Sequence, residues 1–148
     1  MIALASDHAG YALKKDLEEY LASKGYETKD FGTFSEESCD YAVYGYRACR
    51  AVTDGTCEKA VLVCGTGIGM SLAANKVKGI RCVVCSEPFS AKLSRNHNDS
   101  NVLALGSRVV GSELAKMILD VWLENDFEGG RHQRRIDLVA DIENGKEL

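Results

Sequence analysis

Short apolar runs alternate with longer stretches of helical periodicity along the chain. Five segments are candidates for strands, and most of them have the small or β-branched apolar residues that are typical of buried strands; they cover residues 2–5, 27–31, 60–63, 81–84 and 102–105. Strands that alternate with helices form right-handed βαβ units, whose helices cover both faces of a parallel sheet. The pattern therefore predicts an α/β fold with a five-stranded parallel sheet and helices on both faces.

Helices are predicted between these runs from the spacing of apolar positions and from the residues that end them. The first follows the first strand and ends at Gly25, and the second covers residues 40–54. Another begins with Ser112 as its N-cap, and the last covers about residues 134–144. In open α/β sheets, ligands bind beyond the carboxyl ends of the strands, so the residues that follow each strand are the candidates for function.

Length and charge restrict the class of protein. The 148 residues predict one domain, residues 1–148, with a core that needs no disulfide or metal for its stability. The 18 basic and 22 acidic residues leave a net charge of −4, which argues against nucleic acid as a partner. No apolar run approaches the roughly 20 residues that cross a bilayer, and the N-terminus lacks the basic flank of a signal peptide. We therefore expect a cytoplasmic protein with no membrane partner.

The chain has six cysteines: Cys39, Cys49, Cys57, Cys64, Cys82 and Cys85. Without a secretory signal, most are expected to be reduced thiols that pack as small hydrophobes. Cys82 and Cys85 have the C-x-x-C spacing of metal ligands, but residues three apart on a strand point to opposite faces of the sheet. Because no second ligand pair accompanies them, no metal site is predicted.

Ionisable side chains follow the predicted strands. The first strand is followed by Asp7 and His8, and the third is followed by Cys64 and a glycine-rich loop. The helix after the fourth strand ends near His97, and Arg108 follows the fifth strand. We expect these groups to cluster at one edge of the sheet.

The loop after Cys64 has glycine at every second position, Gly65, Gly67 and Gly69. This spacing is not that of a dinucleotide-binding loop, and no lysine completes a nucleotide-hydrolase phosphate loop. Backbone N–H groups exposed before a helix can bind a carboxylate, a phosphate or the oxyanion of an enediolate. The alternative is a tight strand-to-helix turn that binds nothing.

Two alternatives also remain for the candidate catalytic side chains. A thiol near a helix N-terminus can have its pKa lowered and act as a base, whereas an apolar pocket raises the pKa and leaves Cys64 inert. A histidine such as His8 or His97 can be a hydrogen-bonded structural residue instead of a catalytic one. Near the C-terminus, Arg131 and Arg135 are four residues apart and share a helix face, which suits a phosphate dianion, unless this basic run is only a solvated helix start.

Six segments resemble type B ribose-5-phosphate isomerase, a family that also contains galactose-6-phosphate isomerase. They occur in the family's order and spacing over nearly the whole chain: Asp7-His8, then residues 64–69, 86–88, 96–99, 106–111 and 128–132. The resemblance implies a Rossmann-like three-layer sandwich and an aldose–ketose isomerase without metal or cofactor. The implied reaction interconverts ribose 5-phosphate and ribulose 5-phosphate through an enediolate, in the pentose phosphate pathway.

The resemblance also implies roles for individual residues. Cys64 is the base that moves a proton between C1 and C2, and His97 is the acid that opens the furanose ring. The implied substrate-binding residues are Asp7, His8 and Asn98 for sugar oxygens, Gly65, Thr66, Gly67, Ile68 and Gly69 for the enediolate, and Arg108, Arg131 and Arg135 for the phosphate. The site is shared in a homodimer or a dimer of dimers, so that His97 and the segment of about residues 127–148 face the Cys64 loop of a partner subunit.

Two positions depart from the family pattern. Some members have a glutamate directly after the third loop glycine, where this chain has Met70, so Cys64 is the candidate base. Ser6 stands where members often have a cysteine before the Asp-His pair, and no catalytic role is expected for it. An isomerase of allose or galactose 6-phosphate and a non-catalytic sugar-phosphate sensor on the same fold are the competing hypotheses.

Overall fold

The computed structural model describes residues 1–148, with five strands and six helices. The strands are β1 (Ile2–Ser6), β2 (Thr28–Asp30), β3 (Lys59–Cys64), β4 (Cys82–Val84) and β5 (Val102–Gly106). The helices are α1 (Tyr11–Ser23), α2 (Tyr41–Thr53), α3 (Ile68–Ala74), α4 (Pro88–Asn98), α5 (Ser112–Glu124) and α6 (Arg131–Glu143). No helix is both long enough and apolar enough to cross a membrane.

The five strands form one parallel sheet in the order β2-β1-β3-β5-β4. From β1 the chain moves outward to β2 and then returns to β3 on the other side of β1. The strand order therefore reverses between β1 and β3, which is where open α/β sheets form a ligand-binding crevice. The register aligns the carboxyl ends of the central strands, with Cys64 opposite Gly106.

Helices cover both faces of the sheet. On one face, α2 and α3 pack their buried residues on alternate side chains of the strands, and Cys82 belongs to this cluster. On the other face, α1, α4 and α5 bury a second cluster that contains Trp122 and Cys85. The predicted three-layer α/β fold is confirmed, and Cys82 and Cys85 do lie on opposite faces of the sheet.

The structure corrects two predicted helix starts. Ser112 is the first residue of α5, and the N-cap is Gly111; the Ser112 hydroxyl donates to the Asp16 carboxylate instead of capping its own helix. The last helix starts at Arg131 and not near residue 134, after two glycines with positive φ. Left-handed backbone ends the preceding segment, so the helix can begin directly after Gly130.

The strands lie where the sequence predicts them, but their observed lengths differ from the predicted lengths. The central strands β1, β3 and β5 each run one residue further toward the carboxyl edge than predicted, whereas β2 and β4 are three residues long. Both short strands lie at the edges of the sheet, where a strand pairs on one side only.

Candidate active site

The first candidate group lies where β1 ends. Asp7 is buried, its N–H donates to the Val63 carbonyl at 3.1 Å, and its carboxylate accepts the Gly10 N–H at 3.0 Å. The next residue, His8, accepts the Cys39 N–H on Nδ1 at 3.2 Å. A neutral His8 ring therefore carries its proton on Nε2, which leaves that nitrogen as a donor.

The glycine-rich loop follows β3. Cys64 is 4% exposed, and its sulfur accepts the Gly67 N–H at 3.1 Å. Gly67 has φ of +79°, and a Cβ at this position would lie 3.1 Å from the Leu105 carbonyl carbon, so the loop needs glycine for both reasons. The Thr66 hydroxyl accepts the Ile68 N–H at 3.3 Å. The loop thus holds the Cys64 sulfur beside N–H groups at the start of α3.

Arg108 joins this group because β5 pairs with β3. The Arg108 N–H donates to the Gly65 carbonyl at 3.0 Å, and the Ser107 N–H donates to the Cys64 carbonyl at 2.8 Å. The Arg108 side chain extends over Gly65, where an added Cβ would lie 3.4 Å from Nη1. We call this set the carboxyl-edge group: Asp7, His8, Cys64, Gly65, Thr66, Gly67, Ile68, Gly69 and Arg108.

His97 and Asn98 lie at the opposite edge of the sheet. They end α4, which runs back from the carboxyl end of β4 to the start of β5. The Arg81 side chain, just before β4, donates to the Asn98 carbonyl at 3.0 Å and so ties this helix end to the amino edge. The expectation that His97 shares an edge with Cys64 is therefore wrong, because the helix of a βαβ unit ends where its next strand begins. At about 3.3 Å per residue, the four steps from Ala60 to Cys64 separate the two edges by about 13 Å.

The structure adds two residues around His97 to which the sequence assigned no role. The rings of His97 and His132 are stacked, with centroids 4.2 Å apart and an interplanar angle of 11°. The Glu128 carboxylate is 4.0 Å from His97 Nε2 and 3.8 Å from His132 Nε2. Burial lowers the pKa of His132 from its ordinary value, and the nearby His97, Arg131 and Arg135 act in the same direction. This contact joins two separate helices, so no local spacing could have predicted it.

Hydrogen bonds between α4 and the segment before α6 hold this arrangement in place. The Asn96 side chain donates to the Asp126 carbonyl at 2.8 Å, and the Glu128 N–H donates to the Asn96 carbonyl at 3.0 Å. The exposed Arg131 and Arg135 lie on α6 beside His132. We call His97, Asn98, Glu128, Arg131, His132 and Arg135 the amino-edge group.

One chain does not bring the two groups together. None of its three cavities is lined by Cys64, and the largest lies between α6 and the segment from Asn75 to Val83. The carboxyl-edge group holds the thiol, the buried carboxylate and the loop N–H groups. The amino-edge group holds the stacked pair His97 and His132 and two of the three candidate phosphate-binding arginines.

All six cysteines are free thiols, and the five other than Cys64 lie either in the core or near the carboxyl-edge group. Burial raises the pKa of Cys49 to about 12 and that of Cys85 to about 11. Burial also raises the pKa of Cys57 and of Cys82. These four thiols pack in the core as expected. Cys39 is partly exposed and lies 3.9 Å from His8 Nδ1, so it belongs beside the carboxyl-edge group and not in the core.

The architecture and the residues at its sheet edges are those expected of an α/β sugar phosphate isomerase, and comparison with known proteins assigns the chain to that class. The family model described as Ribose/Galactose Isomerase matches residues 2–139. The chain belongs to this family. Because the match covers both groups, each candidate residue lies within the matched region.

Individual relatives agree with the family match. Ribose-5-phosphate isomerase B of Escherichia coli K12 is 54% identical over 142 residues, which are 96% of this chain and 95% of that protein. The solved structure of ribose-5-phosphate isomerase B from Clostridium thermocellum has a TM-score of 0.97 at 49% identity and covers 97% of both chains. D-erythrulose-4-phosphate isomerase of Pectobacterium atrosepticum is 39% identical and covers 96% of this chain and 94% of that protein.

Proposed function

We propose that the protein interconverts ribose 5-phosphate and ribulose 5-phosphate by proton transfer through an enediolate. The observation that carries this proposal is the buried Cys64 sulfur beside the N–H groups of the glycine loop, at the β1/β3 reversal of the sheet. Isomerisation removes a proton next to a carbonyl, so it needs a base, donors for the developing oxyanion and exclusion of water. Met70 is fully buried in the core cluster and offers no carboxylate, which leaves Cys64 as the base.

The carboxyl-edge group supplies the proton-transfer chemistry. Cys64 takes the proton from one carbon and returns it to its neighbour, while the N–H groups between Gly65 and Gly69 stabilise the enediolate, with Thr66 and Ile68 beside them. The buried Asp7 carboxylate accepts a sugar hydroxyl, and His8 donates from Nε2 to a sugar oxygen. These groups lie at or directly after the ends of β1 and β3, and hydrogen bonds such as that from the Gly67 N–H to the Cys64 sulfur hold them in place before charge develops.

The amino-edge group completes the site from a second copy of the chain. About 13 Å of sheet separates the two groups within one chain, so His97 can reach Cys64 only across an interface between subunits. A two-fold interface would form two equivalent sites in a homodimer, and two such dimers could pair further. There His97 donates a proton to the ring oxygen and Asn98 binds a sugar oxygen. Arg131 and Arg135 bind the phosphate together with Arg108, which faces them from the other subunit.

Isomerisation in deuterated water tests the reaction. The enzyme should convert ribose 5-phosphate to ribulose 5-phosphate, and deuterium should appear at the carbon that receives the proton, because the thiol exchanges with solvent before returning it. Proton NMR of the sugar phosphate measures the label. If no pentose, hexose or tetrose phosphate is turned over, the protein is a sugar-phosphate sensor and the proposal is wrong.

Substrate length is the second question for this site. One relative at 39% identity is an isomerase of a four-carbon phosphate, and the family description includes galactose. We expect kcat/KM to be highest for ribose 5-phosphate in a parallel assay with allose 6-phosphate, galactose 6-phosphate and erythrulose 4-phosphate. A higher value for any of the other three would assign that substrate instead.

Arg135→Ala should lower kcat/KM for ribose 5-phosphate by about 10- to 100-fold, mostly through KM, because a charge-assisted bond to the phosphate is lost. Steady-state kinetics measure the change. Arg134→Ala is the matched control, since it removes the same charge from the neighbouring exposed position of α6, and it should stay within about twofold of wild type. Equal effects of the two substitutions would indicate general electrostatic attraction and not a phosphate contact.

A further inference from the structure

A fully buried lysine on α1 has no part in the proposed mechanism. The Lys14 side chain is 0% exposed, although lysine is almost never fully buried unless it is paired. Its Nζ donates to the Asp30 carboxylate at 2.7 Å and to the Thr33 carbonyl. The ring centroids of Tyr11 and Phe34 lie 5.4 Å and 5.2 Å from the same nitrogen. Lys14 therefore joins α1 to the segment that follows β2.

Stability alone does not explain a charged pair at this position. Taking an ammonium and a carboxylate out of water is costly, and apolar residues of similar volume often stabilise a protein as well as a buried ion pair does. In some proteins such pairs are retained because they fix one arrangement of the chain. The Lys14–Asp30 pair is therefore expected to fix the two segments that it joins.

On the α1 side, Lys14 lies one helical turn after the residues that follow β1. Its N–H donates to the Gly10 carbonyl at 2.9 Å, and the Gly10 N–H donates to the Asp7 carboxylate at 3.0 Å. His8 lies between Asp7 and Gly10 in the sequence. These bonds fix the backbone around His8 to the start of α1, and the His8 ring needs a separate support.

The segment between β2 and α2 supplies that support. The Ser6 N–H donates to the Gly32 carbonyl at 2.6 Å and the Thr33 N–H donates to the Ser6 carbonyl at 2.7 Å, so this segment lies beside the end of β1. It continues to Cys39, whose N–H donates to His8 Nδ1 at 3.2 Å. Because a neutral imidazole that accepts on Nδ1 carries its proton on Nε2, this bond determines which ring nitrogen can donate to a sugar oxygen.

We propose that Lys14 is a positioning residue for His8. Lys14 fastens the segment between β2 and α2 to α1, and that segment holds the Cys39 N–H against His8 Nδ1. The ring then keeps one tautomer and one orientation, with the Nε2–H group available as a donor. The effect on turnover rests on the proposed function, in which His8 binds the sugar.

Nitrogen NMR of the His8 ring tests the positioning without any assay of activity. The double variant Lys14→Met with Asp30→Asn removes both charges of the pair, and its new amide oxygen can still accept the Gly32 N–H that the Asp30 carboxylate accepts at 2.8 Å. Two-bond proton–nitrogen spectra show which ring nitrogen carries the proton. In the wild-type protein, we expect a bare Nδ1 and a protonated Nε2 on the neutral His8 ring. In the double variant, both nitrogen shifts should move toward the average of the two tautomers.

Lys15→Met is the matched control for this experiment. Lys15 is the next residue of α1, and its side chain is 43% exposed and pairs with Glu18. The loss of the same charge from this position should leave the His8 spectrum unchanged. The signals are assigned by comparison with His8→Asn, since the chain has three histidines. A wild-type His8 spectrum in the folded double variant would overturn the proposal.

Phe34→Ala decides the matter if the double variant does not fold. The Phe34 ring covers the Lys14 ammonium and is 67% exposed, so its loss opens the buried pair to water without making a cavity in the core. The His8 nitrogen shifts should move in the same direction as in the double variant, by a smaller amount. An unchanged His8 spectrum in Phe34→Ala would contradict the positioning role.

A double-mutant cycle measures the consequence for turnover. Lys14→Met with Asp30→Asn should lower kcat/KM for ribose 5-phosphate by about 10- to 100-fold, the effect of a misplaced binding group. In a His8→Asn background, the same change should cost no more than about threefold, because the ring that it positions is gone. Equal factors in the two backgrounds would indicate a purely structural role and would overturn the proposal. A protein that turns over no sugar phosphate would refute the proposed function, and the His8 spectrum would still decide the positioning.

Discussion

Cys64→Ala is expected to lower kcat for ribose 5-phosphate by about 10²- to 10⁴-fold, the contribution typical of a positioned general base. The substitution removes the sulfur that the Gly67 N–H holds at the loop. It leaves the arginines and the buried Asp7 in place, so the affinity for the sugar phosphate should change by no more than about threefold. Single-turnover kinetics and isothermal titration calorimetry measure the two quantities separately.

Cys57→Ala is the matched control for this experiment. Cys57 is equally buried and precedes β3 at the amino edge of the sheet, away from the glycine loop. The same loss of a buried sulfur should therefore leave kcat within about twofold of wild type. Normal turnover by Cys64→Ala would show that another group is the base, and Asp7 and His8 are the titratable side chains in the same group.

The second large effect concerns two inactive variants produced together. Cys64→Ala and His97→Asn should each be nearly inactive alone, and co-expression should restore about a quarter of wild-type activity. Random pairing makes half of the dimers mixed, and each mixed dimer has one site with both residues intact. The restored fraction is measured as activity per total protein, after homodimers and mixed dimers have been purified together through a tag that both chains carry.

A control for this complementation pairs Cys64→Ala with His8→Asn. Both residues belong to the carboxyl-edge group of one chain, so each mixed dimer contains two damaged sites and activity should stay low. If Cys64→Ala and His97→Asn also fail to complement while forming mixed dimers, the two residues act within one chain and the shared site is wrong.

Local pattern accounts for much of this fold. The apolar runs located the central strands β1, β3 and β5, because a strand buried on both faces has almost no polar positions. The edge strand β2 is polar and partly exposed, and it lies inside the longer segment predicted at residues 27–31. The faces of Cys82 and Cys85 followed from the two-residue period of a strand. The predicted helix starts were less accurate. The Ser112 hydroxyl donates to Asp16 on another helix and does not accept an N–H group of its own helix.

Some residues of the candidate site could likewise be predicted from the sequence, and others could not. The residues of the carboxyl-edge group could be found from sequence, because each directly follows a strand and the ends of parallel strands meet. His97 was assigned to the wrong edge, since a helix that connects two parallel strands carries its last residues back to the amino edge. The contact of His97 with His132, and that of Cys39 with His8, join elements that are distant along the chain.

Sequence alone was enough to identify the elements of this protein, the faces they bury and the residues available for chemistry, because these depend on spacing within short segments. The tertiary packing then established which of those residues meet. It inserted β5 between β3 and β4, which brings Arg108 to the Cys64 loop, and it put about 13 Å of sheet between Cys64 and His97. The order and direction of packed elements depend on contacts between distant segments. Hydrophobic periodicity within one segment does not predict those contacts.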